Sequence, residues 1–303
     1  MTMLTTSTQT NPTRSGFNWP APLENLSDIK VVLFDLDGTL HDDPRITDFY
    51  ARVLEEEMVD GTGRGLQNEV ADVIQGRHPA AQIGSFVEPS RGIAISAPHW
   101  VAEKALDWNG NPVSLLDDSL LGPIQHDGAL RYLGDQWQII GALAARRGAN
   151  AHILRDAFVR ARRFGNDPST TLIRSEYLDE VLHRLSQGRR FLLATNTTEE
   201  LARPLVDRLR LQPPFEIIRF DARKPAGCSE LISHAREQWN IAPSEILVIG
   251  DNLWNDLLPP AEQGCRTVHI DPLGTDRAAR WSSARFDNFA AFAAALKELP
   301  DEC

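Results

Sequence analysis

Val31-Val32-Leu33-Phe34 is an unbroken apolar run that stops at Asp35. Four branched or aromatic residues in a row have the make-up of a strand buried on both faces, as parallel strands of α/β sheets are. Short apolar runs return at Phe191–Ala194, Phe215–Phe220, Ile246–Ile249 and Thr267–Ile270. Between them apolar residues fall at helical spacing: Tyr177, Leu178, Val181, Leu182 and Leu185; then Glu199–Leu209; then Leu231, Ala235 and Trp239; and last Phe289–Leu296. Strand and helix in alternation predict an α/β fold, a Rossmann-like doubly wound parallel sheet with right-handed crossovers.

The first strand is separated from the rest by a long detour. Ile46, Phe49, Tyr50, Val53, Leu54 and Met58 mark an amphipathic helix, and Leu66–Gln75 fits a second. Helical patterning returns over Ala129–Arg147 and Ala151–Phe164. Gly76–Gly128 carries Gly, Pro and Asn without a sustained period. There, Asn109-Gly110 between Lys104–Asp107 and Pro112–Leu116 predicts a hairpin, with Pro112 confining its second strand to an edge. Gly165–Arg174 reads as a linker. The pattern therefore predicts a large, mainly helical domain (44–164) inserted into a core made of 29–43 and 165–303. Residues 1–28, rich in Thr, Ser, Asn and Pro, read as a disordered arm.

Composition narrows the class. With 303 residues, 42% hydrophobic and 24% charged, the chain has enough apolar material for two ordinary globular units. No apolar run approaches the roughly 18 residues of a membrane span. A net charge of −11 disfavours nucleic acid or an anionic membrane as partner, so an anionic substrate must meet a local cation. Cys228, Cys265 and Cys303 form no disulfide framework or metal-ligand spacing, which points to a reducing, cytoplasmic setting.

The chemistry gathers where the apolar runs end. Asp35 and Asp37, two apart, can face one point at the carboxyl end of the first strand, where open α/β sheets bind ligands. A bound cation would hold one carboxylate ionised while the other keeps a proton. Gly38 lets the chain turn closely past that point. Thr195-Asn196 follows the second run and offers a hydroxyl and an amide to an oxyanion. Lys224-Pro225 precedes a helix, where a cation and a helix N-terminus together suit an anion. Gly250-Asp251 ends the Ile246–Ile249 run, and Asp256 lies five residues on.

Asp35-Leu36-Asp37-Gly38-Thr39-Leu40 after a hydrophobic strand resembles the first motif of the haloacid dehalogenase-like superfamily, whose members are mostly phosphatases. Thr195 resembles its second motif, and Lys224-Pro225 through Gly250-Asp251-Asn252-Leu253-Trp254-Asn255-Asp256 its third and fourth. The resemblance covers Ile29–Leu40 and Glu176 to the C-terminus. It implies an Mg²⁺-dependent phosphohydrolase acting on a small phosphorylated metabolite. Asp35 would be the nucleophile that forms an aspartyl-phosphate, and Asp37 the general acid and then the base. Thr195 and Asn196 would hold the phosphate together with Lys224, which offsets its charge. The metal would be bound by Asp35, the Asp37 backbone carbonyl and Asp251, with Asp256 supporting. Family members that dehalogenate typically lack an Asp at the position of Asp37, so its presence favours phosphate ester or anhydride chemistry. A phosphotransferase or sugar phosphomutase using the same nucleophile, or a non-catalytic protein of the same fold, remains open as an alternative.

The insertion lies where the family places a cap, and Pro259-Pro260 interrupts the helix the family usually runs on from its fourth motif. His41 is the residue outside the core motifs most suspected of lining the site. Trp100, Trp108 and Trp137 read as packing. Arg77-His78, His126 and Arg162-Arg163 could meet an anion but read by default as solvated surface.

Overall fold

The structure is a computed structural model that describes residues 26–58, 61–98, 100–114, 129–211, 214–275, 282 and 284–299. His126, Cys303 and the expected arm up to residue 25 lie outside the described residues.

In chain order, β1 (Val31–Phe34) leads into α1 (Pro44–Glu57) and α2 (Leu66–Ile74). Next come β2 (Phe86–Glu88), β3 (Ile93–Ser96), β4 (Lys104–Asp107), β5 (Pro112–Val113) and β6 (Arg131–Tyr132), then α3 (Gln136–Arg146) and α4 (Ala151–Asn166). The chain continues through α5 (Leu178–Leu185), β7 (Arg190–Ala194), α6 (Glu199–Arg208), β8 (Phe215–Arg219) and α7 (Ala226–Trp239). It then runs through β9 (Ile246–Gly250), α8 (Leu258–Glu262), β10 (Arg266–Ile270), β11 (Ala284–Phe286) and α9 (Phe289–Glu298).

Among the described residues, six strands form a parallel sheet in the order β11-β10-β9-β1-β7-β8. Period-two alternation sends Val32 and Phe34 into a core with α5, α6 and α9, and Val31 and Leu33 into one with α7. Both faces of β1 are thus covered, which explains its unbroken apolar sequence. Burial of side chains this large stabilises by about 1.5–3 kcal/mol each. β11 is too short to show in the sequence pattern. It forms because β10 offers a parallel partner, with Val268 opposite Ala284.

The segment between β1 and α5 contains the two expected helices, α1 and α2, and the expected hairpin. Leu106 pairs with Pro112, and β5 is the edge strand. Helical residues predominate, but β2–β6 also form an antiparallel sheet in the order β5-β4-β3-β2-β6. Its strands are two to four residues long, too short for a visible alternation. The helix expected from Ala129 begins instead at Gln136. Arg131-Tyr132 pairs with β2, and Asp135 caps α3 by accepting from the Gln138 amide at 2.7 Å. One face of this sheet, with Val87 and Ala94, packs on α1–α4. The other, with Phe86 and Ile95, joins the core beneath Trp254, and the Phe86 and Trp254 rings lie 5.0 Å apart.

Two junctions differ from expectation. Leu26–Asp28, assigned to the arm, is a 3-10 turn with Leu26 buried in the core. After β9, Leu253–Leu257 is a π-helical turn, and α8 follows with the proline pair in its first turn. Pro259 and Pro260 have no N–H for the carbonyls of Asn255 and Asp256, so an α-helix cannot run through. The Asn255 carbonyl accepts from the Cys228 thiol at 3.5 Å instead.

Candidate active site

The parallel register aligns the ends of the central strands. Phe34 lies opposite Leu193 on one side and Ile249 on the other. Asp35, Thr195 and Asp251 therefore emerge side by side, at the carboxyl edge where doubly wound sheets bind ligands.

Lys224, in the loop after β8, reaches back across this edge. Its ammonium contacts the Asp35 carboxylate and lies 2.7 Å from Asp256 Oδ1. Asn196 clamps the lysine's backbone: Oδ1 accepts from the Lys224 amide at 2.7 Å, and Nδ2 donates to its carbonyl at 3.2 Å. Among the described residues, one amide hydrogen of Asn196 is left over. Gly227 lets the start of α7 pass against the preceding loop, since a Cβ there would lie 1.6 Å from the Ala222 carbonyl oxygen. The buried Thr195 hydroxyl accepts from the Thr197 amide at 3.1 Å, which leaves its proton to donate.

Asp35, Asp251 and Asp256 each present an oxygen, all within 4.8 Å of one another. Burial pushes Asp35 up to about 7 against the pull of the Lys224 charge, with Asp256 and Asp37 adding to the rise. Burial drives Asp251 well above the carboxylate range, and the charges on Asp35, Asp135 and Asp256 push the same way. Burial opposes the charged form of Lys224, yet Asp256 and Asp35 hold its ammonium well above the usual lysine range. One lysine does not balance this many carboxylates. A hard cation with oxygen ligands would, and the donor set fits Mg²⁺.

Asp256 has both oxygens engaged, one with Lys224 and the other accepting from the Asn252 amide at 3.0 Å. It sits within the acidic group as the anchor of Lys224. The Asp251 carbonyl takes a hydrogen bond from His269 Nε2 at 2.8 Å, which fixes the imidazole proton on that nitrogen. Asp37 contributes no side-chain oxygen to the group and turns towards the inserted segment.

There it meets a residue that the sequence reading left on the surface. Arg162 of α4 is 2% exposed, and its Nη1 lies 2.5 Å from Asp37 Oδ1. A signal was present: Ala157, Ala161, Arg162 and Gly165 form the buried stripe of α4, so the arginine stands on an apolar face. Asp135 gave no signal in the sequence, since the helix was expected to begin at Ala129. It accepts from Asn252 Nδ2 at 2.6 Å, tying α3 to the turn after β9, and burial pushes it up to about 6. A cavity of about 90 Å³ lies here, lined among others by Asp37, His41, Asp135, Trp137, Arg162 and Asp251.

The other candidates in the insertion are engaged elsewhere. Trp100 packs near Trp254, Trp108 donates to Glu69 at 2.8 Å, Arg77 pairs with Asp72, and Arg163 faces Glu200 at the surface.

The fold has a counterpart among solved structures. None of the curated protein sequences compared matches the chain. Among solved structures it is similar to the YfnB protein of Bacillus subtilis, described as a HAD-hydrolase bound to magnesium. The identity is 16%, the TM-score 0.50, and the match covers 89% of this chain and 99% of that one. It is also similar to a predicted phosphoglycolate phosphatase from Haemophilus somnus, at 16% identity and TM-score 0.47, over 88% of this chain and 98% of that one. At such identities the likeness is one of fold. The family model of haloacid dehalogenase-like hydrolases matches residues 29–264, most of the chain, and the protein belongs to that family of hydrolases.

Proposed function

We propose that the protein is an Mg²⁺-dependent phosphohydrolase that cleaves a small phosphorylated metabolite through an aspartyl-phosphate. The observation that carries this reading is the position of Lys224, in contact with Asp35 and 2.7 Å from Asp256, beside Asp251 at the level ends of β1 and β9. A nucleophile, a cation and a metal-binding carboxylate stand together, as phosphoryl transfer to an enzyme carboxylate requires.

A carboxylate oxygen of Asp35 attacks phosphorus in line, and the bond to the leaving oxygen breaks. Asp37 gives that oxygen a proton and so becomes the base for the water that attacks the aspartyl-phosphate. Phosphate departs and Asp35 is regenerated. Lys224 neutralises charge on Asp35 and the phosphoryl oxygens, Thr195 and the remaining amide hydrogen of Asn196 donate to those oxygens, and Asp256 holds Lys224. Mg²⁺ held by Asp35, Asp251 and the Asp37 carbonyl would supply further neutralisation of the transferring group. A halide leaves without a proton, so an acid at Asp37 suits an oxygen leaving group. The magnesium bound to YfnB, a protein of the same fold, accords with the cofactor. The inserted segment serves as the cap over the leaving group, and a reducing cytoplasm suits its thiols.

Phosphate release from a panel of sugar phosphates, nucleotides and phosphorylated acids, with Mg²⁺ and with a chelator, tests the reading. Release that needs Mg²⁺ is expected. No release from any ester would contradict it.

A further inference from the structure

Arg162 is more deeply committed to the site than its pairing with Asp37 requires. Its Nη1 is hydrogen-bonded to Asp37 at 2.5 Å, and its guanidinium carbon lies 5.9 Å from the centre of the Trp137 ring. Nε and Nη2 are buried and have no hydrogen-bond partner among the described residues. Leaving two donors of a buried cation unmade is strongly unfavourable. The pair has a definite chemical meaning, because Nε–H and Nη2–H lie along one edge of the planar guanidinium. That edge matches the two oxygens of a carboxylate.

We propose that Arg162 is a specificity residue that binds a carboxylate on the substrate's leaving group through this edge. The inference rests on the phosphohydrolase reading and narrows the substrate to small phosphorylated hydroxy acids. Nη1 stays on Asp37, so one rigid guanidinium aligns the substrate's carboxylate with the group that protonates its leaving oxygen.

The cavity supports both the charge and the size. Arg162 shares it with Asp37 and Asp251, so it opens directly beside the reacting groups. Its volume of about 90 Å³ suits a leaving group of a few carbons. Sites for larger ligands run to roughly 300–1,000 Å³. Asp42, Asp43 and Asp135 also line it, so an anionic leaving group needs a dedicated cation there, and Arg162 is the one the cavity supplies among the described residues. A neutral alcohol would leave both nitrogens unpaired. Sites built to hydrogen-bond a charged group discriminate strongly against analogues lacking it.

Phosphoglycolate and ethyl phosphate test this, since they share a two-carbon skeleton and differ in the carboxylate. The wild type should prefer phosphoglycolate in kcat/KM by roughly 10- to 100-fold, the range of a charge-assisted hydrogen-bond pair. Arg162→Lys and Arg162→Gln should bring that ratio towards one, mainly through the KM for phosphoglycolate. Taking the ratio cancels any loss common to both esters from a displaced Asp37. Calorimetric titration of each ester into the wild type without Mg²⁺ gives the same comparison without turnover, and stands if the variants do not fold. Equal treatment of the two esters by the wild type would overturn the proposal, as would a preference that survives Arg162→Gln. Hydrolysis of ethyl phosphate as readily as phosphoglycolate would remove the carboxylate site and keep the hydrolase. Selective binding of phosphoglycolate with no turnover of either ester would keep the site and remove the hydrolase.

Discussion

A methyl group on Gly38 would lie 2.0 Å from Asp251 Oδ2, so the turn after β1 and the carboxylate after β9 fit only because that methyl is missing. Gly38 also has φ of +86°, a conformation that side-chain-bearing residues rarely adopt. Gly38→Ala is expected to displace Asp251 rather than the buried β1. Calorimetric titration should show weaker Mg²⁺ binding than in the wild type, and a thermal melt should show a loss of about 1–3 kcal/mol.

Asp256 acts through Lys224. Asp256→Asn keeps the shape and the amide contact to Asn252 but removes the second negative partner of the ammonium. The expected result is a fall in kcat of about 10- to 100-fold with little change in KM, because the interaction lost serves the transition state. Steady-state kinetics at saturating Mg²⁺ measure the split.

Glu69 is a charged node within the insertion. Burial alone would raise it, but hydrogen bonds from His78, Arg147 and Trp108 bring it down to about 2. A carboxyl lowered on folding contributes stability that is present above its unfolded value near 4.5 and is lost as pH falls towards 2. Glu69→Gln should be less stable than the wild type by about 1–2 kcal/mol at pH 7. Thermal melts should show that difference shrinking as pH drops from 5 to 3.

Asp135 ties α3 to the turn after β9 by capping the helix and accepting from Asn252. Asp135→Ala removes both interactions. Loss of a cap alone is worth about 0.5–2 kcal/mol, and a thermal melt should fall by about 2–6 °C.

Much of this organisation was legible from the chain. β1, β7, β9 and β10 are buried along nearly their whole length and announce themselves as continuous apolar runs. β8, at the sheet edge, is only partly buried but still carries Phe215, Ile217 and Ile218; the chemical groups follow where these runs stop. Beyond the β4–β5 hairpin, the antiparallel sheet was hidden because its strands are only two to four residues long and derive their pairing from tertiary neighbours. Arg162 was misplaced for a related reason. An arginine is solvated by default, and although its place on the small-residue face of α4 pointed inward, its pairing with Asp37 depends on residues 125 apart in the chain. Asp135 falls inside the helix expected over Ala129–Arg147, so its role as the cap of α3 was not legible in the sequence. That its other oxygen faces Asn252 depends on two segments more than 100 residues apart.

The role proposed for Asp35 is to carry the phosphoryl group. Its most direct test is acid quenching during turnover with Mg²⁺ and p-nitrophenyl phosphate, followed by peptide mass spectrometry. The reaction is best run in Asp37→Asn, where loss of the base slows breakdown of the intermediate by about 10²–10⁴. One added phosphoryl mass is expected on the peptide containing Asp35, removed by hydroxylamine and absent from Asp35→Asn. Turnover with no such adduct, or phosphate release that survives Asp35→Asn, would contradict that role.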